Sequence, residues 1–261
     1  MSSQFGTVLK QWRGKRHLSQ LDLALKANVS SRHISFLETG RSSPSRAMIL
    51  HLCEQLEVPP FARNGFLNAA GFSPAYISRD LQDEEMRHVH RAVEWMLERH
   101  APYPAMALDK HWVVKSANQP AGFLLSGAGI SIGDSLLDLF ADPEKMGIIL
   151  DNADEVMQHM LIRLKTESAY LGGDKILDQA AERLSRALGS HMPDETIMNA
   201  AVIPARYRAG TGETVLSFFS TIASFGTAQD IALSELKIEL LFPADDKTEQ
   251  MLLQLQGEFH D

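Results

Sequence analysis

The sequence is poor in several features that would each indicate a distinct class of protein. It contains a single cysteine, Cys53, which excludes a disulfide framework and a cysteine-rich zinc or iron–sulfur site. Residues 1–10 have no apolar core long enough for a signal peptide. The longest uncharged stretch, residues 116–133, is interrupted by Pro120 and by glycines, so it does not predict a membrane span. We therefore expect a soluble, cytoplasmic protein that does not bind membranes.

Acidic residues are scarce only at the start of the chain. Residues 1–75 contain nine Lys or Arg and four Asp or Glu, a net charge of +5, whereas the rest of the chain carries −13. The 261 residues, of which 44% are hydrophobic, are enough for two soluble domains. The change of sign predicts a domain boundary and suggests a polyanionic partner for the basic part.

The basic part has the pattern of five short helices. Ser19 and Ser30 are suitable N-caps for the second and third helices, and Asn28 between them tolerates a left-handed backbone. Gly40 follows the predicted end of the third helix, where a left-handed C-cap is common. In these two helices the apolar spacing predicts the following inward-facing residues: Leu21, Ala24, Leu25, Ile34 and Leu37.

Two helices joined by a tight turn, the second exposing small and polar side chains, form a helix-turn-helix pattern. Residues 19–24, residues 29–41 and the pair Pro44-Ser45 resemble the lambda-repressor-like (XRE) DNA-binding domain. Asn28 stands where that family usually has glycine. The resemblance covers about residues 5–70 and implies that the third helix enters the major groove of double-stranded DNA.

The exposed polar residues of this pattern are the candidates for contacts with DNA. Arg32 has the side chain for a bidentate contact to guanine, and a solubilising surface is the alternative for Arg32 and Arg41. Residues near the starts of helices two and four are expected to hold phosphates. The complete predicted set is Gln20, Ser30, Ser31, Arg32, Ser35, Phe36, Arg41, Ser43 and Arg46.

The apolar spacing predicts a different architecture after residue 72. A long helix is expected over about residues 80–100, followed by a hairpin at 103–117, a helix at 118–125 and two helices at 154–165 and 174–188. Three strands near 201–208, 213–224 and 235–242 and a last helix at 247–256 complete the chain. We therefore predict a helix-turn-helix domain at 1–72, a connecting and dimerisation helix at 73–100, and an α+β domain at 101–261 with five antiparallel strands.

The second domain also resembles known families. The hairpin and the helix after Asn118 are similar to the opening of a PAS domain. The whole chain resembles the MmyB-like regulators, most clearly at residues 30–41, 69–72, 102–105, 109–118, 216–226 and 242–246. That resemblance implies a dimeric transcription factor whose PAS-like domain binds a small apolar molecule, with fatty acids as the suggested type.

An apolar cavity between sheet and helices is compatible with the residues, although ordinary core packing is the alternative for each of them. Thr221 or Asn118 would orient a polar head group. Arg206 and Arg208 share one strand face, where either a carboxylate contact or a solvated face is possible. The complete predicted set is Met106, Leu108, Trp112, Val114, Asn118, Phe123, Leu161, Leu164, Ile203, Phe218, Thr221 and Phe225.

Enzymatic and metal-binding motifs are not found in the sequence. His88 and His90 diverge on a helix, and the glycines at 127, 129 and 133 miss the dinucleotide fingerprint by one position. We predict no catalytic residue, no metal and no cofactor beyond the apolar ligand. The alternative is a constitutive DNA-binding regulator whose second domain only dimerises or binds a protein; a remoter one is an antitoxin-like regulator.

Overall fold

The computed structural model describes residues 4–79, 83–189, 202–209, 214–225 and 230–258. These residues form two compact units. The first unit contains residues 4–79 together with 167–174 and 230–234, and the second unit contains the remaining described residues. Neither has a helix, within the described ranges, that combines the length and apolarity needed to cross a membrane.

The first unit begins with five helices, as the sequence predicts. They are α1 (Gln4–Lys15), α2 (Gln20–Lys26), α3 (Ser31–Thr39), α4 (Arg46–Gln55) and α5 (Pro60–Ala69). Their buried faces form one core, in which Phe5 and Trp12 of α1 contact the ring of Phe66 in α5. The inward positions predicted for α3 are confirmed, since Ile34 and Leu37 are fully buried, and Ile49, Leu52 and Cys53 of α4 are fully buried as well.

The predicted inward face of α2 is wrong at Leu21 and Leu25 and confirmed only at Ala24. Leu21 is 58% exposed and Leu25 is 72% exposed, whereas Leu23 and Ala24 are buried. The buried face continues to Ala27 just beyond the helix, and the small side chains of Ala24 and Ala27 belong to the core shared by the five helices. A helix of seven residues is too short for its apolar period to decide between two adjacent faces.

The second unit begins with helices and a hairpin close to those predicted. The long helix α6 (Arg87–Arg99) begins seven residues later than its predicted start, after a 3₁₀ turn at Glu84–Met86, and residues 80–82 lie outside the described residues. Met86 adopts φ −94° and ψ −1°, which separates the turn from the regular helix. The hairpin consists of β1 (Ala105–Leu108) and β2 (Val114–Ala117), and α7 (Gln119–Gly127) follows it.

Two short helices that the sequence did not predict come next, α8 (Leu136–Phe140) and α9 (Pro143–Ile149). Helices of five and seven residues hold at most two turns, so they leave little apolar periodicity to detect. The remaining elements are α10 (Ala153–Tyr170), α11 (Lys175–Leu188), β3 (Ala205–Ala209), β4 (Thr214–Ser224), α12 (Ile231–Glu235), β5 (Lys237–Pro243) and α13 (Asp246–Glu258). The sequence did not predict the short helix α12, whereas the other elements agree with the prediction except at their ends.

The five strands form one antiparallel sheet in the order β2-β1-β5-β4-β3, which confirms the predicted α+β class. Residues 210–213, which connect β3 to β4 and include Gly210 and Gly212, lie outside the described residues. Directly paired residues share a sheet face, and side chains alternate along each strand. The pairs Met106–Glu239 and Ser220–Leu241 therefore place four side chains, together with Phe218, on the same face of the sheet.

Candidate functional site

Side-chain caps fix the turn between α2 and α3. Ser19 Oγ accepts a hydrogen bond from Asp22 N, and the Asp22 carboxylate accepts one from Ser19 N, which together form a capping box. Ser30 Oγ accepts a hydrogen bond from His33 N at the start of α3. Asn28 between the helices has φ +53°, the left-handed conformation expected of it. The predicted caps are therefore confirmed, and they set the angle at which α3 leaves α2.

The outward face of α3 carries the predicted base-reading residues. Ser31 and Arg32 are exposed at the start of the helix, while Ser35 and Phe36 are half-buried. The Arg32 guanidinium lies 5.1 Å from the centre of the Phe36 ring, and that of Arg41 lies 5.8 Å from it. Cation–π contacts of this kind restrict both guanidinium groups to the neighbourhood of the same ring. Phe36 therefore positions two cations on the exposed side of α3.

A buried ion pair attaches α3 to the other helices. Glu38, which is 5% exposed, accepts hydrogen bonds from Arg13 Nε at 2.7 Å and Arg13 Nη2 at 3.1 Å. This hydrogen bond raises the pKa of the Arg13 guanidinium. Gln20 Nε2 also donates to Glu38 at 2.7 Å. One carboxylate of α3 thus binds side chains of both α1 and α2.

The backbone of α3 also lies unusually close to α1. A Cβ atom added at Gly6 would be 2.3 Å from the carbonyl oxygen of Glu38, far inside van der Waals contact. Gly14, on the same helix, has open space around it. Only glycine at position 6 permits this approach, so the sequence of α1 contributes directly to the placement of α3.

The predicted phosphate-contact residues have different environments. One amide N–H of Gln20 is used by Glu38, and Arg46 Nη1 donates to Ser73 O at 2.8 Å. Ser43 and Arg41 are exposed before α4. Ser30 Oγ is engaged as the N-cap of α3. Since a Gln amide has two N–H groups and guanidinium five, these contacts leave the predicted phosphate roles chemically feasible.

The second unit contains a cavity of about 300 Å³ between the sheet and the helices α7 to α10. Such a volume lies at the lower end of the range of small-molecule sites. Its lining is mostly apolar. The lining residues are Met106, Trp112, Leu124, Leu125, Ala128, Leu136, Leu139, Phe140, Met146, Ile149, Leu150, Val156, His159, Met160, Arg163, Val202, Ile203, Ala205, Tyr207, Phe218, Ser220, Glu239 and Leu241.

Four of the twelve residues predicted for the pocket line this cavity: Met106, Trp112, Ile203 and Phe218. The other eight do not. Leu108, Val114 and Leu164 are buried in the surrounding core, whereas Leu161 and Phe225 are half-buried elsewhere. Phe123 is 60% exposed, because the side of α7 that faces the cavity carries Leu124 and Leu125. Thr221 is exposed, since strand alternation directs its neighbour Ser220 toward the cavity.

Asn118 holds the hairpin and α7 together instead of facing the cavity. Its Oδ1 accepts hydrogen bonds from Ala105 N and Ala121 N, the second of which caps α7. Its Nδ2 donates to Leu97 O and Tyr103 O. Both amide hydrogens are thereby used, and Asn118 is not among the residues that line the cavity, contrary to the expectation from the sequence.

Trp112 forms the part of the cavity wall that lies next to the charged side chains of Arg163 and Lys237. It has φ +61° and is 1% exposed. Asp109 Oδ1 accepts hydrogen bonds from the backbone N–H of His111 and of Val113, and this turn stabilises the left-handed residue between them. The Arg163 guanidinium and Lys237 Nζ each lie 4.2 Å from the ring centre, and Phe140 contacts the ring edge-on.

The charged part of the cavity was not predicted. Arg163 Nη1 donates to Glu239 Oε1 at 3.2 Å, and both side chains are more than four-fifths buried. Burial and the Arg163 charge lower the pKa of His159, which favours its neutral form. Burial, with a smaller effect of Glu239, raises the pKa of Tyr207 to about 12, which keeps its hydroxyl protonated. One sequence signal could have indicated this charged part of the cavity. His159 and Arg163 are four residues apart, so on a helix they lie on the same face.

Arg206 and Arg208 lie on the strand face opposite Tyr207, as alternation predicts. Arg206 pairs with Asp151 and Glu155, and Arg208 pairs with Asp151 at 2.8 Å. Their charges are therefore compensated by acidic residues outside the cavity lining. Among the residues that the structure describes, no group of three or more His, Cys, Asp or Glu side chains could hold a metal ion.

Comparison with protein families gives two matches. The helix-turn-helix family matches residues 9–62, which include α2 and α3. The family described as the MmyB-like transcription regulator ligand binding domain matches residues 89–255, which include the sheet and the cavity. Both are regulatory families and not enzyme families. No curated protein sequence matches the chain significantly.

Proposed function

The chain belongs to the MmyB-like transcription regulators and is a DNA-binding regulator with a ligand-binding domain, and from this premise we propose how the two parts act. It is a dimer that binds a specific operator, and a small apolar molecule of fatty-acid type controls this binding. The observation that supports ligand control is the largely apolar cavity of about 300 Å³, which includes a charged pair in its wall.

Sequence-specific binding rests on the start of α3. Arg32 is exposed there, and its distance of 5.1 Å from the Phe36 ring restricts where its guanidinium can go. In this proposal Arg32 reads guanine, Ser31 and Ser35 make further contacts with bases, and Phe36 positions the arginines. Gln20, Arg41, Ser43 and Arg46 hold phosphates, which fix the register but carry no sequence information.

Two such heads read two half-sites of a near-palindromic operator, with centres about 34 Å apart or a multiple of that distance. Dimer contacts through α6 and the ligand-binding unit would leave α3 of each copy available to DNA. Such a regulator acts in the compartment that contains the chromosome. This agrees with the cytoplasmic location expected from the sequence.

Control by a ligand requires that the ligand distinguish two arrangements of the dimer. A molecule with equal affinity for both arrangements shifts no population, however tightly it binds. The cavity lies in the unit that we assign to dimerisation. A ligand that binds in this cavity can therefore change the dimer contacts that set the distance between the two DNA-binding units.

The Arg32→Ala variant tests base reading. We expect it to weaken binding to the operator, selected from a random duplex library, by about 1–3 kcal/mol and to relax specificity at one base pair. Arg183→Ala is the matched control, because Arg183 is an exposed arginine of the ligand-binding unit. Binding is measured by fluorescence anisotropy on operator and scrambled duplexes. An equal loss on both duplexes would contradict a base-reading role.

Native mass spectrometry of protein purified without added ligand tests the dimer and the occupied cavity together. We expect a dimer that carries a lipid-sized adduct, which is released on denaturation. A dimer without adduct, whose operator affinity is also unchanged by a panel of apolar molecules, would indicate a constitutive regulator. A monomer at the concentration that saturates the operator would contradict the proposed reading of a palindrome.

A further inference from the structure

One helix, α10, contributes residues to both units. Residues 153–166 belong to the second unit, whereas residues 167–174, which include the last turn of the helix, belong to the first. We propose that α10 carries the effect of cavity occupancy to the DNA-binding unit, and that Gly172 is the positioning residue through which its end acts on Trp12 of α1. This inference rests on the proposed ligand control and specifies the part of the chain that performs it.

The earlier turns of α10 form one side of the cavity. The lining residues of this helix are Val156, His159, Met160 and Arg163. They recur every three or four residues, so they lie on one face of the helix. A molecule that fills the cavity contacts this face, and the hydrogen bonds along the helix oblige its turns to move together. A change in occupancy therefore acts on α10 as a whole.

The segment that follows α10 is fixed to its last turn by a Schellman motif. Gly172 N donates to Ala169 O at 3.0 Å, and Gly173 N donates to Ser168 O at 2.7 Å. The two glycines have φ +81° and +93°, left-handed values that glycine adopts without strain. Ser168 is 3% exposed, and its Oγ accepts a hydrogen bond from Asp174 N. The position of Gly172 is therefore set by that of the helix end.

Within the first unit, Gly172 lies directly against α1. It is buried, and a Cβ atom added to it would overlap Cζ2 and Cη2 of the Trp12 ring. Trp12 is 7% exposed and contacts the ring of Phe66 in α5. Because this ring is enclosed in the core, a displacement of the end of α10 toward it pushes on α1.

α1 is in turn held to α3. Arg13, which follows Trp12 in the chain, binds the buried Glu38 of α3 through two nitrogen atoms at 2.7 and 3.1 Å. Gly6 permits the backbones of α1 and α3 to approach closely. A shift of α1 at Trp12 therefore changes the placement of α3 or strains this ion pair. Chains of packed side chains and buried ion pairs are the contacts through which distant sites are coupled.

The Gly172→Ala substitution tests this role, because the added methyl group displaces the end of α10 from Trp12. Decanoate is the probe, and operator affinity of the full chain is measured by fluorescence anisotropy with and without it. We expect decanoate to change the operator affinity of the natural chain by at least about fivefold, and that of the variant by less than about twofold. Isothermal titration calorimetry should show that both chains bind decanoate.

Gly71→Ala is the matched control. Gly71 also lies in the first unit and also has φ +81°. Among the described residues, no atom beyond its chain neighbours lies within 4 Å of the Cβ position. Both substitutions therefore introduce similar backbone strain, and only the one at position 172 adds a clash. The control should keep the full response to decanoate.

A second variant interrupts α10 without touching either of its ends. Lys165→Gly with Thr166→Gly replaces two exposed side chains between the cavity wall and Gly172 and makes the helix easier to bend there. It should bind decanoate and the operator but lose the response. Ser185→Gly with Arg186→Gly, also exposed on a helix of the second unit, is its control. Circular dichroism shows which variants are folded.

A folded variant of either kind that binds decanoate and keeps the full response would overturn the inference and leave ligand control intact. Loss of the response in the two controls as well would assign it to a general loss of stability and would also overturn the inference. A natural chain whose operator affinity is unchanged by decanoate and by a panel of other apolar molecules would instead contradict the proposed ligand control.

Discussion

Replacing Glu38 with alanine is expected to destabilise the DNA-binding unit by about 3–5 kcal/mol. The substitution leaves the largely buried Arg13 guanidinium without the carboxylate that accepts two of its hydrogen bonds. It also removes the acceptor of Gln20 and thereby the side-chain connection of α3 to α1 and α2. Operator affinity should fall with stability, because α3 is the helix that we assign to the major groove.

Native-state hydrogen exchange measures this effect within the first unit, since the amides of Ile34 and Leu37 lie in α3. Asp138→Ala is the control, followed by hydrogen exchange in the second unit, because the pair of Asp138 with Arg183 is solvent-exposed and is expected to contribute about 0–1 kcal/mol. Similar losses in the two variants would show that burial of the Glu38 pair has no energetic consequence.

Replacing Trp112 with alanine should destabilise the ligand-binding unit by about 3–5 kcal/mol. The side chain is 1% exposed, contacts Phe140 and supports the cations of Arg163 and Lys237. Its removal leaves a void in the core and also withdraws part of the wall of the ligand cavity. We therefore expect weaker binding of the fatty-acid-type ligand in addition to the loss of stability.

Phe123→Ala is the control for Trp112→Ala. Both aromatic residues were predicted from the sequence to line the pocket, but Phe123 is 60% exposed on the outer side of α7. Its substitution should change the unfolding free energy by no more than about 0.5 kcal/mol and leave ligand binding unchanged. Urea denaturation followed by circular dichroism measures both variants, and equal destabilisation would contradict the placement of these rings.

The helix-turn-helix could be predicted because its signals are local. Ser19 and Ser30 each bond to a backbone N–H three residues along, and Asn28 and Gly40 adopt the left-handed backbone that their positions require. Such preferences depend on a few neighbouring residues, so they are readable in one sequence. The strand alternation around Tyr207 was predictable for the same reason.

The orientation of α2 and most of the cavity lining were not predictable in this way. Leu21 and Leu23 differ little in local context, and the packing of α2 into the helical core decides which of them is buried. In α10 the sequence favoured Leu161 and Leu164, whereas Met160 and Arg163 line the cavity. A stripe of apolar residues identifies an amphipathic helix but not the rotation that a neighbouring sheet will select.

The sequence alone determined the two-part organisation, the family, the caps and the alternation of the strands, because those depend on composition and on contacts within a few residues. Tertiary structure decided which carboxylate meets which guanidinium. Arg163 and Glu239 are 76 residues apart, and Arg13 and Glu38 are 25 apart. Such pairs form only after helices and strands have packed, since side-chain contact then depends on three-dimensional position and no longer on spacing along the chain.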